Sequence, residues 1–350
     1  MKRREFHRAV AALTTGAALS TRIAAETSAG GITDVQGIKV GHWTETRRPT
    51  GCTVLVFDQG ATAGVDVRGG APGTHETDLL NPTAMVQQVQ AILLSGGSAF
   101  GLEASAGVSK YLEEHGLGFR AGPVVVPIVP SAILFDLGVG DPKIRPTAES
   151  GYKAAQAAST GKVAEGNVGA GAGATIGKLF GMKSAMKSGL GTASLRVGNT
   201  GIVVGAIVAV NAVGDVVDPK SGKIIAGARK PDGSGFMDSM ALIREGHGVV
   251  ATATNTTIGV VATNVAFDKA QMTKIAQMAH DGLARTIYPV HTPDDGDTIF
   301  AVATGAIPAR ANYGAIGALA ADVMAQAVLR AVMNARGLAG LPSYSDLQRG

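Results

Sequence analysis

Asn255 and Thr256 are the neighbouring residues best suited to chemistry, in the run ATATNTTIGVVATN at residues 251–264. A threonine hydroxyl is a weak nucleophile unless a base lies beside it. If the peptide bond between the two residues breaks, Thr256 gains a free α-amino group with a pKa of about 7.7 to 8.0, so much of it is unprotonated near neutral pH. A single residue then supplies both the nucleophile and its base, and no histidine is required.

The same segment is also typical of an ordinary buried strand. Residues 256–263, TTIGVVAT, are rich in β-branched side chains, which favour strands. The segment alone therefore leaves two interpretations open: a core strand that begins at Thr256, or a nucleophile held rigidly at the start of a strand.

A glycine-rich run at residues 166–181, GNVGAGAGATIGKLFG, is the first competing motif. A phosphate-binding loop needs a glycine six positions before its lysine and a serine or threonine after it. Ala172 and Leu179 stand at those two places around Lys178, so the phosphate-loop interpretation fails. A match to GxGxxA in the same run has no clear strand before it, which argues against dinucleotide binding.

Ser98 is the second competitor, because LLSGGSAFGLEA places it at a strand-to-helix turn. The nucleophile elbow of some hydrolases has the pattern GxSxG. Phe100 stands where the second glycine belongs, so Ser98 is interpreted as a serine at the start of a helix.

Asp294, Asp295 and Asp297 crowd around Gly296 in HTPDDGDTIF, residues 291–300. Three acids in a turn before a strand fit a solvated loop, a cation site or an acid that orients a catalytic group. Spacing alone favours the solvated loop.

The composition of the 350 residues excludes several classes of protein. With 45% hydrophobic and 17% charged residues, the chain is globular rather than disordered. Its net charge of +4 is small and no basic stripe with aromatic residues occurs, so nucleic acid is not an expected partner. The seven histidines are dispersed, without HExxH or CxxC, and predict no metal site. Cys52 is the only cysteine, so no intramolecular disulfide is expected.

The first 25 residues have the pattern of an export signal. Arg3 and Arg4, followed by Phe6, resemble the start of a twin-arginine signal. An alanine-rich apolar stretch and small residues follow, as before a signal-peptidase site. The stretch is too short and too interrupted to span a membrane. We therefore expect a periplasmic or otherwise exported protein with a single domain at residues 26–350 and no membrane partner.

Strand and helix patterns alternate along the rest of the chain. GIVVGAIVAVN at residues 201–211 is typical of a buried strand. Asp268 is placed to cap a helix with apolar residues at helical spacing, and a long alanine-rich helix is expected over residues 312–336. The polar stretch 218–236 is expected to be an exposed connector. The mixture predicts an α/β or α+β fold of layered sheets and helices.

Five blocks of the sequence occur in the order found in one enzyme family. They are GVDVRGGAPGTHETDLLNP (64–82), LLSGGSAFGLEA (93–104), GNVGAGAGATIGK (166–178), NTTIGVVATN (255–264) and AHDGLARTIYPVHTPDDGDTIFAVATG (279–305). In this pattern the chain resembles the aminopeptidases that include D-aminopeptidase/esterase and β-peptidyl aminopeptidase. The resemblance covers nearly everything from about Gly31 to the C-terminus, which makes it far more specific than any single glycine motif.

The resemblance implies an autoprocessed hydrolase with an N-terminal nucleophile, built as an αββα sandwich related to the ornithine acetyltransferases. The precursor would cut itself between Asn255 and Thr256 into an α chain of residues 26–255 and a β chain of residues 256–350. The mature enzyme would then remove N-terminal residues from short peptides, amides or esters through an acyl-enzyme on Thr256. Relatives are oligomers, so a homo-oligomer of processed α/β units is expected; no cofactor is expected.

The resemblance also assigns supporting roles. Asn211, at the end of its strand, matches the asparagine that donates to the oxyanion; removing such a donor raises the barrier by roughly 2.7 to 4 kcal/mol. Asp297 matches an acid near the nucleophile, whereas Asp295 stands where relatives have a serine. Residues 130 and 131, a proline and a serine, occupy the place where peptidase relatives hold the substrate amine with an acid. Asp136 is therefore the candidate amine partner.

Two other functions stay open from the sequence. An acyltransferase of the ornithine acetyltransferase type would share the self-cleavage but transfer the acyl group to an amine acceptor. A non-catalytic homologue would stay unprocessed. The sequence also leaves open whether the substrate is an α-peptide, a β-peptide, a D-residue amide or an ester.

Overall fold

A computed structural model describes residues 30–247 and 254–348 of the chain. The expected export signal, residues 1–25, and the stretch 248–253 that leads to the proposed cut lie outside the described residues. The pair Asn255-Thr256 lies inside them, at the start of a strand.

Strands carry the apolar, β-branched runs of the sequence, as their side-chain composition predicts. Their bounds are β1 (Lys39–Thr44), β2 (Gly51–Val67), β3 (Thr74–His75), β4 (Val89–Ser95), β5 (Phe119–Ala121), β6 (Val124–Val126), β7 (Ser131–Ile133), β8 (Thr175–Ile176), β9 (Met186–Lys187), β10 (Leu190–Arg196), β11 (Val203–Asn211), β12 (Asp215–Val217), β13 (Ile224–Ala226), β14 (Thr256–Thr263), β15 (Ile287–Tyr288) and β16 (Thr298–Ala303).

The α-helices of the described residues follow the expected pattern with small shifts in their bounds. Asp268 begins its helix as predicted, because its side chain accepts the backbone N–H of Gln271 in a capping box. Ser98 begins a short 3-10 helix, as expected of a helix-start serine. The long helix is shorter than the predicted 312–336. The helices are α1 (Ala104–Glu114), α2 (Ala148–Gln156), α3 (Ser239–Arg244), α4 (Lys269–Ala284), α5 (Tyr313–Met333) and α6 (Tyr344–Leu347).

Nine strands form one sheet in the order β10-β11-β14-β16-β2-β4-β7-β3, with β1 also paired to β2. The long strand β2 joins two halves of this sheet. Its first residues pair with β1 and β4, and its last residues, 62–67, pair with β16. Its register against β4 shifts between Val56 and Ala61, an irregularity of the kind that bends a strand.

Three apolar layers show how the two halves are stacked. Successive residues of β16 alternate between two of them: Ile299 packs in a layer with α4 and α5, whereas Phe300 packs between the two half-sheets. On β2, Val54 packs with α1 and α2, whereas Leu55 joins the middle layer. The order is helix, sheet, sheet, helix, so the predicted αββα sandwich is confirmed.

Thr256 and the acidic turn meet because β14 and β16 run parallel and begin at the same edge of the sheet. Thr256 is the first residue of β14, and Asp297 directly precedes β16. Strand β11 runs antiparallel to β14 and ends at this edge, with Asn211 opposite Thr256. Three residues that the sequence singles out therefore lie together.

Helix α5 has the length and apolar composition of a membrane span, but more than half of it is buried inside the protein. It lies against α4 and the strands β10 and β11. Packing on the sheet therefore explains its apolar sequence.

The stretch 218–236 is mostly exposed, but its prediction as a plain connector is wrong at one place. Ile224–Ala226 forms β13, which pairs with β12. Ala226 and Ala228 are buried there. Polar and glycine neighbours surround these small residues, so the composition of the stretch did not reveal the strand.

Candidate active site

The predicted nucleophile lies against the peptide group that it would attack. Thr256 is 4% exposed, and its hydroxyl donates a hydrogen bond to the carbonyl oxygen of Asn255. The same oxygen accepts the backbone N–H of Gly296 at 2.9 Å. An N–H at this place stabilises the negative charge that develops on the oxygen when a nucleophile attacks the carbonyl carbon.

Gly296 is required by the close approach of three chain segments. A Cβ atom at this residue would lie 2.7 Å from the Thr256 hydroxyl oxygen and 2.7 Å from the carbonyl oxygen of Ala71. Glycine is the residue that permits such an approach. The sequence showed Gly296 only as the centre of an acidic turn, because its contact with the Asn255 carbonyl depends on the fold.

Asp297 is buried beside the start of β14. One carboxylate oxygen accepts the backbone N–H of Thr257 at 2.6 Å. The other accepts the backbone N–H of His291 at 3.2 Å and its ring Nδ1–H at 2.8 Å. The solvated-loop interpretation of this turn is therefore wrong, since Asp297 is buried and held at the start of β14 by partners inside the protein.

Asp295 is buried on the other side of the turn. Its carboxylate accepts the N–H and the hydroxyl of Thr292 at 2.8 and 2.7 Å. Burial, and secondly the charge of Asp297, raise the pKa of this carboxyl from 3.8 to about 6. It therefore changes charge closer to neutral pH than an ordinary aspartate. Within the described residues, no group of three or more His, Cys, Asp or Glu side chains is arranged to hold a metal ion.

Lys178 belongs to the site, although sequence reasoning missed it. Its buried ammonium donates to the backbone and side-chain oxygens of Asn211, both at 3.0 Å, and to the carbonyl oxygen of Thr254 at 3.1 Å. Burial lowers the pKa of this lysine to about 7, while the charges of Asp295 and two further aspartates oppose the decrease. In the sequence, Lys178 stood out only as the lysine of a phosphate-loop motif that does not match. The small and apolar residues around it were the one indication that its side chain would be buried.

The side chain of Asn211 points to the same place. Its amide nitrogen donates to the carbonyl oxygens of Phe135 at 3.0 Å and of Thr254 at 3.2 Å. Asn211 therefore donates to the carbonyl of Thr254. The resemblance instead predicts that it donates to the oxyanion at the next residue, Asn255. In this uncleaved chain the backbone donor to the Asn255 carbonyl is Gly296, and the oxyanion role of Asn211 stays a prediction.

Asp136 is buried nearby, and its charge is already compensated. One carboxylate oxygen binds the Arg48 guanidinium at 2.8 Å and the Gly97 N–H at 2.9 Å, and the other accepts the Thr50 hydroxyl at 2.6 Å. Both oxygens therefore have partners inside the protein. A role of Asp136 in binding the substrate amine stays a prediction.

A cavity of about 170 Å³ opens beside these residues. A larger pocket of about 390 Å³ lies elsewhere, against Arg244, Arg285 and Tyr288, and contains none of the predicted site residues. We therefore assign the chemistry to the smaller cavity. It is lined by Phe135, Asp136, Gly138, Val139, Thr175, Lys178, Gly181, Met182 and Thr254.

The chain has close relatives among known proteins. Residues 30–344 match the profile of Peptidase family S58. An aminopeptidase of Mycobacterium tuberculosis, named as uncharacterised, is 45% identical over 343 residues, covering 90% of this chain and 97% of that protein. A 6-aminohexanoate-oligomer endohydrolase of Kocuria sp. is 34% identical over 317 residues, covering 85% of this chain and 84% of that protein.

The fold also has a counterpart among solved structures. The L-aminopeptidase D-Ala-esterase/amidase of Ochrobactrum anthropi, described as a variant of the Ntn hydrolase fold, matches with a TM-score of 0.67 at 20% identity, covering 91% of this chain and 92% of that one. The resemblance found in the sequence is thus confirmed, and the chain belongs to peptidase family S58, a family of hydrolases.

Proposed function

We propose that the chain cuts itself between Asn255 and Thr256 and then hydrolyses amide or ester bonds of small substrates with the freed Thr256 as nucleophile. The observation that carries this proposal is the contact of the Thr256 hydroxyl with the Asn255 carbonyl, whose oxygen also accepts the N–H of Gly296 at 2.9 Å. The names of the relatives support it, since an aminopeptidase and an oligomer endohydrolase are both hydrolases.

Self-cleavage would proceed in two steps. The Thr256 hydroxyl oxygen adds to the carbonyl carbon of Asn255, and the N–H of Gly296 stabilises the oxyanion. The bond from that carbon to the Thr256 nitrogen breaks, the nitrogen takes the proton that the hydroxyl loses, and an ester links the two residues. Water then adds to the ester and releases the Asn255 carboxylate and the Thr256 hydroxyl.

The mature enzyme would use the same oxygen on a substrate. The free α-amino group of Thr256 takes the hydroxyl proton while the oxygen attacks the substrate carbonyl. An acyl-enzyme forms, the leaving amine takes that proton, and water releases the acid. Asp297 accepts the N–H of Thr257, which keeps the start of β14 in place after the cut.

The proposal includes a cellular place and an assembly. Residues 1–25 have the pattern of a twin-arginine signal, which supports export to the periplasm or beyond. The substrates are short peptides, amides or esters, and the processed α/β units assemble into a homo-oligomer, as in the aminopeptidases that the sequence resembles.

The intact mass and N-terminal sequence of the purified protein test the self-cleavage. The wild type is expected to give a fragment that begins Thr256-Thr257-Ile258. Thr256→Ala should stay whole because the nucleophile is missing, and Thr256→Ser should still be cut because it keeps a hydroxyl. Thr257→Val is the matched control: the Thr257 hydroxyl is buried without a hydrogen-bond partner, so its loss should leave the cut unchanged.

Two results would contradict the proposal: a wild-type protein that remains one chain, or a Thr256→Ala variant that is still cut at this bond. The cut protein is then assayed with aminoacyl p-nitroanilides. Product formation that depends on an added amine acceptor would indicate an acyltransferase instead of a hydrolase.

A further inference from the structure

The carbonyl oxygen of Thr254, one residue before the scissile peptide group, is held by two side chains that we call the carbonyl cradle. Lys178 donates to this oxygen at 3.1 Å and Asn211 at 3.2 Å. The Lys178 ammonium also donates to the side-chain oxygen of Asn211 at 3.0 Å. Further bonds of Asn211, from the N–H of Thr175 and to the carbonyl of Phe135, both at 3.0 Å, fix the pair before any substrate binds.

Under the proposed function, on which the inference rests, the Thr256 oxygen attacks two acyl groups in turn. The first belongs to Asn255 of the precursor, and the second belongs to a substrate. Because the same nucleophile serves both, the substrate carbonyl takes the place of the Asn255 carbonyl. The next carbonyl on the acyl side then takes the place of the Thr254 carbonyl.

We propose that Lys178 and Asn211 form a subsite for a second substrate carbonyl, the one that precedes the scissile amide by one residue. The substrate class that presents such a carbonyl is a linear oligoamide cut at an internal bond, or a short peptide whose terminal amine is acylated. A substrate whose acyl side is a single residue with a free amine has no second carbonyl for the cradle to bind.

The hydrogen-bond donors of the cradle favour an acylated amine over a free one. A free ammonium would replace the nitrogen of Asn255 and would leave Lys178 and Asn211 without the carbonyl oxygen that they bind here at 3.1 and 3.2 Å. Asp136, the carboxylate on the wall of the adjoining cavity, is paired with Arg48 at 2.8 Å. The residues that line the cavity therefore supply no unpaired acid for a free amine.

The adjoining cavity continues the cradle with an apolar surface. It holds about 170 Å³, and Thr254 lines it together with Phe135, Val139 and Met182. A substrate chain that leaves the second carbonyl enters this cavity and buries aliphatic groups there, which is favourable in water. The preferred acyl side is therefore a carbonyl followed by an apolar chain rather than by a charged group.

Three chromogenic substrates test the subsite on the processed wild-type enzyme. They are alanyl p-nitroanilide, its N-acetyl derivative, which adds the second carbonyl, and its N-ethyl derivative, which has a similar size but keeps the charge and lacks the carbonyl. We expect kcat/KM of the acetyl substrate to exceed that of the other two by about tenfold or more, the gain from the hydrogen bonds to the second carbonyl.

Lys178→Met keeps the length of the side chain but removes one of the two donors, and it should lower the ratio of acetyl to free-amine hydrolysis several-fold. Lys183→Met is the matched control, because Lys183 is nearby in the sequence but exposed. It should leave the ratio unchanged. If Lys178→Met fails to fold or to process, the three substrates on the wild type still decide the question.

Equal or better hydrolysis of the free-amine substrate would overturn the subsite and leave the proposed hydrolase function in place. If the cut protein hydrolyses none of the three substrates, the hydrolase function itself fails, and the subsite fails with it.

Discussion

His291 connects Asp297, the buried acid at the start of β14, with a second histidine, the fully buried His280. Its ring Nδ1–H donates to Asp297 at 2.8 Å, and its ring packs edge-on against that of His280, with 4.7 Å between the ring centroids. His280 in turn bonds to the backbone oxygen of Asp66 at 3.0 Å. His291 adopts a φ of +57°, which is uncommon for residues other than glycine. These contacts make His291 a positioning residue for Asp297.

Two replacements of His291 separate its hydrogen bond from its backbone conformation. His291→Asn keeps a side-chain donor and tolerates positive φ, whereas His291→Gly tolerates the same φ but has no donor. We expect the glycine variant to cut itself about tenfold more slowly and the asparagine variant to stay near the wild-type rate. The rate is measured by following the intact mass during cell-free synthesis.

The exposed His115 at the end of α1 provides the control, and His115→Asn should leave the rate of the cut unchanged. Equal rates for His291→Asn and His291→Gly would show that the side-chain bond to Asp297 is not used.

At the scale of elements, helices α1 and α2 approach so closely that glycine is needed at their contact. A Cβ atom on Gly107 would lie 1.7 Å from the carbonyl oxygen of Ala148. A Cβ atom on Gly151 would lie 1.9 Å from the carbonyl oxygen of Ala104. Both distances are far below any real contact, so the helices must move apart if either glycine is replaced. These helices cover the half-sheet that contains β4.

Gly107→Ala is expected to lower the Tm although alanine is the better helix former. The gain in helix propensity is about 1 kcal/mol at most, whereas a side chain forced into a packed contact costs about 1 to 3 kcal/mol. Gly138→Ala is the control, because no atom lies within 4 Å of its Cβ position and its φ is not positive. A calorimetric Tm of Gly107→Ala at or above that of the control would argue against this close packing.

For the whole molecule, a cut between Asn255 and Thr256 would leave the sheet intact. Strand β14 lies inside the sheet, between β11 and β16, and all of its residues are buried. The α chain would contribute β11, and the β chain would contribute β14 and β16. The ladder between β11 and β14 would therefore hold the two chains together.

We expect the two fragments to elute together in size-exclusion chromatography under native conditions and to separate only in denaturant. The uncut Thr256→Ala variant should elute at the same volume, because the cut removes no part of the chain. Fragments that separate without denaturant would contradict a sheet shared between the two chains.

Much of the fold and part of the site follow from the order of the amino acids. The apolar runs of β11 and β14 can be recognised as strands in the sequence, because the pattern of their side chains is a local property of the chain. Asp268 caps α4 as its position predicts. The five matching blocks identified the family and the αββα class, and they predict Thr256 as the nucleophile, because a motif with fixed spacing can be recognised in the sequence itself.

The remaining features of the site depend on tertiary structure. The acidic turn that contains Asp297 looks solvated in the sequence and is buried in the fold. Lys178 looks like the remnant of a phosphate loop, yet it donates to the carbonyl of Thr254 at 3.1 Å. Gly296 donates to the Asn255 carbonyl. These contacts join residues far apart along the chain, and they form only when the pairing and register of β11, β14 and β16 bring them to one edge of the sheet.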